Sequence, residues 1–198
     1  MKRKMLAVLA MMLLLTSCTK SKDASDQTPA ESSDHSVTSQ QENKSSESPK
    51  PAEDTPIPGS YTVPDGWVKS EKYSNARQIF YVQAGHENDK QPDNIAINVG
   101  ENKYSLDEHE RFRDAIVQQF MMQMKGSKAE LNGDGTYTEQ GNLLYIFTID
   151  EGDIVTKQYY IVKDYGFCLI QLTNFSGSES TDEAARAIVD SFVWDTES

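Results

Sequence analysis

The sequence predicts an α+β domain in which an antiparallel β-sheet of about five to seven strands packs with two main helices. Three observations carry that expectation. β-rich runs follow one another through short glycine-containing connections, which join antiparallel neighbours and are too short for a parallel crossover. Two segments, near 105–124 and 180–192, open on capping-box patterns and repeat apolar residues at helical spacing. Those helical segments stand before and after the hairpin run instead of alternating with the strands.

In order, Tyr61 to Trp67 begins extended, and Pro64-Asp65-Gly66 supplies turn chemistry before the aromatic. Gln78 to Gln83 reads as a strand, and 86–93 as a polar loop. Asn94 to Val99 places Ile95, Ile97 and Val99 at the strand period of two. In the first helix, Ser105 and Glu108 form the capping box and acids in the first turn complement the helix dipole. Phe112, Ile116, Phe120 and Met124 then recur every four residues, and Gly126 suits the C-terminal cap. Five short strands follow, at 128–131, 136–139, 143–149, 154–162 and 167–173. Their turns are expected at Asn132-Gly133-Asp134-Gly135, Gln140-Gly141-Asn142, Glu151-Gly152-Asp153 and Asp164-Tyr165-Gly166. The second helix is expected from Ser180-Thr181-Asp182-Glu183, with Ala184, Ala185, Ile188, Val189 and Phe192 as its apolar face.

Ahead of this domain, residues 1–17 have the form of a secretory signal. Lys2, Arg3 and Lys4 precede an apolar run from Met5 to Leu15, too short to span a membrane, and Thr16-Ser17 lead into Cys18. A cysteine at that point makes the segment similar to a bacterial lipoprotein signal, with lipid on the Cys18 thiol. The expected location is therefore the extracytoplasmic face of the cell membrane, held through Cys18. Residues 18–60 are rich in Ser, Thr, Pro, Gln and acids, with Val37 and Ile57 their only large aliphatic residues. Such a stretch cannot bury enough apolar surface to offset ordering entropy, so it reads as a disordered tether with a reach of roughly 35–40 Å.

Residues 61–198 have the length of one domain with one core. They carry twelve Lys and Arg against twenty-three Asp and Glu. A surface this acidic repels nucleic acid and anionic lipid, so neither is an expected partner. Cys168 is the domain's single cysteine, which excludes an internal disulfide.

The Tyr61-x-Val63-Pro64-x-Gly66-Trp67 opening is followed by an early strand pair, a long capped helix, a meander and a closing helix that ends at Ser191-Phe192. That order resembles the PsbP-like superfamily, over about 61–196. The resemblance implies an accessory or binding role without enzymatic activity, and it transfers no catalytic motif.

The residues themselves offer little catalytic chemistry. Nucleophilic catalysis needs a nucleophile, a base and a group that orients the base. The domain holds two histidines, His86 in a polar loop and His109 at the edge of the first helix's apolar face. Cys168 lies in a strand that reads as buried, where a thiol is inert. Asn132 to Thr136 resembles a calcium loop, yet Tyr137 occupies the required glycine position and Leu143 that of the closing glutamate. Asp150-Glu151-Gly152-Asp153 reads as a solvated acidic turn. Met121 and Met124 are one helical turn apart, as a copper(I) pair would be, but both are assigned to the helix's buried stripe. No cofactor is expected.

Tyrosines remain as candidate contacts. Tyr145, Tyr159 and Tyr160 concentrate in the meander, and adjacent Tyr159 and Tyr160 must face opposite sides of a regular strand. One is expected beneath a helix and the other on an open face, where an aromatic anchors an interface. The preferred reading is a lipid-anchored binding or accessory module for an envelope protein or small ligand. An envelope hydrolase with a site between sheet and helices, or a structural spacer, are the alternatives.

Overall fold

A computed structural model describes residues 57–195. The signal at 1–17, Cys18 and the tether up to residue 56 lie outside the described residues. Ile57 packs against the core, and β1 (Gly59–Ser60) pairs with β9 (Val193–Trp194), so the folded unit takes in 57–60 as well as the expected domain. Ile57 is one of the two large aliphatic residues of the stretch read as the tether.

The principal sheet has seven strands. They are β2 (Trp67–Lys69), β3 (Gln78–Gln83), β4 (Asn94–Glu101), β5 (Glu130–Tyr137), β6 (Leu143–Asp150), β7 (Val155–Lys163) and β8 (Gly166–Asn174). Their order is β2-β3-β4-β8-β7-β6-β5, and every pairing is antiparallel. Helix α1 (His109–Gln123) links β4 to β5, and α2 (Glu179–Ser191) follows β8. The fold is thus α+β, as expected.

Period-two alternation divides this sheet into two apolar faces. Ile79, Ile97, Ile170, Tyr159 and Ile146 stand in register across five strands. Ala184, Ala185, Ile188 and Val189 of α2 close over that row. One residue along, Leu169, Tyr160 and Tyr145 form a row on the opposite face. There α1 contributes Phe112, Ile116 and Phe120, all buried. Phe112 meets Phe167 and Tyr160 at centroid distances of 5.4 and 5.8 Å, and Phe120 meets Phe147 at 5.3 Å. Helices therefore cover both faces of the central strands, and the open face expected from the sequence is absent from the described centre of the sheet.

Three expectations change. The Asn132-Gly133-Asp134-Gly135 segment is no turn but the middle of β5, so four strands stand where five were expected. Gly133 and Gly135 are opposite Phe147 and Tyr145, and an added Cβ would stand 3.2 and 3.1 Å from those rings. The glycines make room for aromatic rings instead of bending the chain. Met121 and Met122 are 63% and 70% exposed, because they lie about 100° and 200° around the helix from Phe120; only Met124 is half-buried. Glu179 opens α2, with Ser178 as its N-cap residue, and Thr181 is buried inside it. The β7–β8 turn falls at Asp164-Tyr165 as expected, with Tyr165 as its left-handed residue (φ 54°).

The first capping box is present on a 3-10 turn, Leu106–Glu108, that precedes α1. Ser105 N–H donates to Glu108 Oε2 at 3.4 Å, and Glu108 N–H donates to the Ser105 carbonyl at 3.0 Å. Gly126 adopts φ 84° just past the helix, as a C-terminal glycine should.

Candidate functional site

The three candidate tyrosines are buried, which corrects their assignment to an exposed contact surface. Tyr160 is fully enclosed among Phe112, Phe147 and Phe167, and its hydroxyl donates to Gln158 Oε1 at 2.8 Å. Tyr145 lies under α1, 2.6 Å from His109 Nδ1. Both serve the α1 face of the core. Their physical reason is common: α1 brings Phe112, Ile116 and Phe120 onto a face that was expected to stay open.

Tyr159 differs. It is buried on the α2 face, yet it lines an open groove of about 600 Å³ between α2 and strands β6 and β7. The floor is Ile146, Thr148, Lys157 and Tyr159. Strand alternation aims Lys157 and Tyr159 at α2, two residues apart on one face. The wall is Asp182, Arg186 and Asp190, spaced i, i+4 and i+8, and therefore one row along the helix beside its apolar stripe.

Two ion pairs organise the groove. Lys157 Nζ is 2.9 Å from Asp182 Oδ2, and Arg186 Nε is 2.6 Å from Asp190 Oδ2. Each carboxylate thereby uses one oxygen. The other oxygens, Asp182 Oδ1 and Asp190 Oδ1, are buried with no hydrogen-bond partner among the described residues. Burial, with the charges of Asp182 and Asp190 adding and Arg186 opposing, pushes the Tyr159 phenol up to about 12. It stays neutral at physiological pH, and no hydrogen bond contributes to its shift. The groove thus sets two carboxylates, each short of one hydrogen-bond donor, beside a neutral phenol. It suits a ligand that brings N–H or O–H donors, above all an ammonium or guanidinium group.

The sequence signal for this row was Asp182-Arg186-Asp190 itself. In sequence it is indistinguishable from the ordinary solvated edge of an amphipathic helix, a charged stripe beside an apolar one.

The remaining polar candidates stand apart. His86 Nδ1 lies 2.7 Å from Asp89 Oδ2, both on the surface, far in sequence and partner from the His109–Tyr145 contact. Cys168 is buried in the α2-side core, and burial pushes its thiol up, away from the reactive thiolate. Asp150, Glu151 and Asp153 are exposed, with Asp150 Oδ1 accepting from Gly152 N–H at 2.7 Å.

No family model and no curated protein matches the chain. The structure is similar to the solution structure of cyanobacterial PsbP (CyanoP) from Synechocystis sp. PCC 6803. The TM-score is 0.49 at 13% sequence identity, over 73% of this chain and 91% of that one. At such an identity the likeness concerns the fold, and no activity or partner is taken from it.

Proposed function

We propose that the chain is a lipid-anchored extracytoplasmic binding module whose α2 groove receives a basic segment of an envelope protein. The observation that carries the reading is the pair of unpartnered carboxylate oxygens, Asp182 Oδ1 and Asp190 Oδ1, flanking the buried Tyr159 phenol. A Lys or Arg side chain laid along the row supplies the missing donors. The acidic domain adds long-range attraction for a cationic partner, whose on-rate falls as salt rises. In this reading Cys18 fixes the chain to the membrane and the acidic segment up to residue 56 lets the domain reach its partner.

Two experiments test the parts separately. Replacing Cys18 by Ala moves the protein from the membrane fraction to the soluble fraction; unchanged membrane retention refutes the anchor. Calorimetric titration of the full chain in detergent with a tetra-arginine peptide gives saturable, salt-sensitive binding. Asp182→Asn with Asp190→Asn weakens it at least tenfold, and equal affinity in the double variant refutes the groove.

A further inference from the structure

A second cleft, of about 780 Å³, lies where the ends of β4, β7 and β8 meet β9. We propose that it is a carbohydrate-binding site, independent of the α2 groove. The inference starts from two donors. Trp194 Nε1 and Asn102 Nδ2 are buried with no acceptor among the described residues, and both side chains belong to the lining of this one cleft. A buried N–H without an acceptor is costly, and a native structure holding two in one wall points to an absent acceptor. Asn102 is fixed in that orientation, because its Oδ1 accepts from Tyr104 N–H at 2.8 Å and leaves the amide nitrogen over.

The rest of the lining selects the class of ligand. Lys163 Nζ lies 4.8 Å from the Trp194 ring centroid and adds a third donor. Glu101 and Lys163 are both in register with Gly166, one on each neighbouring strand, so a carboxylate and an ammonium flank a position with no side chain. A Cβ on Gly166 would come within 3.3 Å of Lys163 Cε. Tyr165, 60% exposed at the rim, is held at φ 54° by two backbone bonds of 2.9 Å, from its own N–H to the Tyr104 carbonyl and from Asn102 N–H to its carbonyl. Such a conformation is unfavourable in a residue other than glycine and persists where the surroundings impose it.

The cleft therefore combines donors, a carboxylate acceptor and aromatic rings. A simple anion would satisfy the donors but meet Glu101, Asp164 and the acidic domain. A cation would meet Lys163 and leave the two N–H groups unfilled. Sugar hydroxyls accept from Trp194, Asn102 and Lys163, donate to Glu101, and carry no charge to be repelled. A pyranose also lays apolar C–H surface on aromatic walls.

The test uses the full chain in detergent with the Trp67→Phe change, which leaves Trp194 as the single tryptophan. Chitotriose and maltotriose, added up to 20 mM, shift the Trp194 emission saturably in at least one case. Asn102→Asp keeps the acceptor for Tyr104 N–H while deleting the donor, and it weakens that binding about 2- to 10-fold, as does Lys163→Met. If Trp67→Phe prevents folding, 5-fluorotryptophan in the unaltered chain gives the same readout by fluorine NMR, with Trp194→Phe identifying the Trp194 signal. No saturable shift with either sugar overturns the proposal. So does a shift that Asn102→Asp and Lys163→Met leave unchanged, or one produced equally by sodium acetate. Tetra-arginine binding at the α2 groove is a separate readout, so either site can fail without the other.

Discussion

Replacing Asp93 by Ala should destabilise the domain by roughly 2–4 kcal/mol. Asp93 ends the loop before β4 and ties it to the segment between β8 and α2. Its Oδ1 accepts from Phe175 N–H at 2.7 Å and Ser176 N–H at 2.9 Å. Its Oδ2 accepts from the Ser176 hydroxyl and from Thr181 Oγ1 at 2.8 Å. Removal of the carboxylate does not affect these donors equally. Ser176 is exposed, so water takes its two donors at little cost. The Thr181 hydroxyl is fully buried and loses its acceptor outright, a loss of about 1–3 kcal/mol, and the half-buried Phe175 N–H adds about 1 kcal/mol.

The assay is urea unfolding followed by circular dichroism. At a slope near 2 kcal/mol per molar urea, the midpoint should fall by about 1–2 M with the slope unchanged. Burial alone would raise the Asp93 carboxyl, but its bonds from Ser176, Thr181 and Phe175 outweigh burial and hold it below the ordinary range. A depressed carboxyl stabilises the fold fully above its unfolded-state pKa near 3.9. That contribution is lost as pH falls through the lower folded-state value. Asp93→Asn lacks it, so the variant should show a shallower loss of stability below about pH 4. A midpoint within 0.2 M of the parent, or identical acid limbs, would falsify the clamp.

Three further outcomes follow from the core. Gly100→Ala sets a Cβ 2.4 Å from Cζ of the buried Phe167 ring, and should cost at least about 1–3 kcal/mol in urea unfolding; a neutral result refutes the close approach. Phe112→Ala opens a cavity among Tyr104, Tyr160 and Phe167 and should cost about 3–5 kcal/mol by the same measurement, whereas a loss below 1 kcal/mol would mean that α1 does not cover this face. With Cys18 changed to Ala, Cys168 is the single thiol; it should react with a disulfide reagent at pH 8 only at the rate of unfolding, and rapid labelling in the absence of urea would contradict its burial.

The fold class was legible because its signals were local. Asn94 to Val99 places Ile95, Ile97 and Val99 at every second position, and the Phe112–Ile116–Phe120 stripe sits on one side of a capped helix. Neither pattern depends on distant residues. Asn132-Gly133-Asp134-Gly135 misled for the same reason: local chemistry favours a turn, while the rings of Phe147 and Tyr145 on the next strand determine why glycine is there. Asp93 and Thr181 are 88 residues apart, so nothing local marks their bond. Tyr145, Tyr159 and Tyr160 read as candidate contacts and all three are buried, yet Tyr159 lines the candidate groove. That coincidence depended on the Asp182–Arg186–Asp190 row, which only the packing of α2 brings over β7.

Geometry explains why grooves occur at the flanks of this sheet. Seven strands at about 4.8 Å spacing make a sheet about 29 Å wide. Helix α2 has 13 residues, which makes it about 20 Å long and 10–12 Å thick. One such helix seals the centre, where Ile95, Ile97, Ile161, Ile170 and Leu172 are fully buried. It cannot also cover the strands at the side. Ile146 and Thr148 of β6 are therefore left half-exposed beside the charged row of α2, and the cleft at the ends of β4, β7 and β8 lies beyond the Phe192 end of the helix. A seven-stranded sheet with one helix on this face thus has a dry centre and polar margins, two of which are the α2 groove and the cleft at β9. The two margins differ in which hydrogen bonds they leave unmade: carboxylate oxygens at one, N–H groups at the other. A ligand at the first margin must bring donors, and one at the second must bring acceptors.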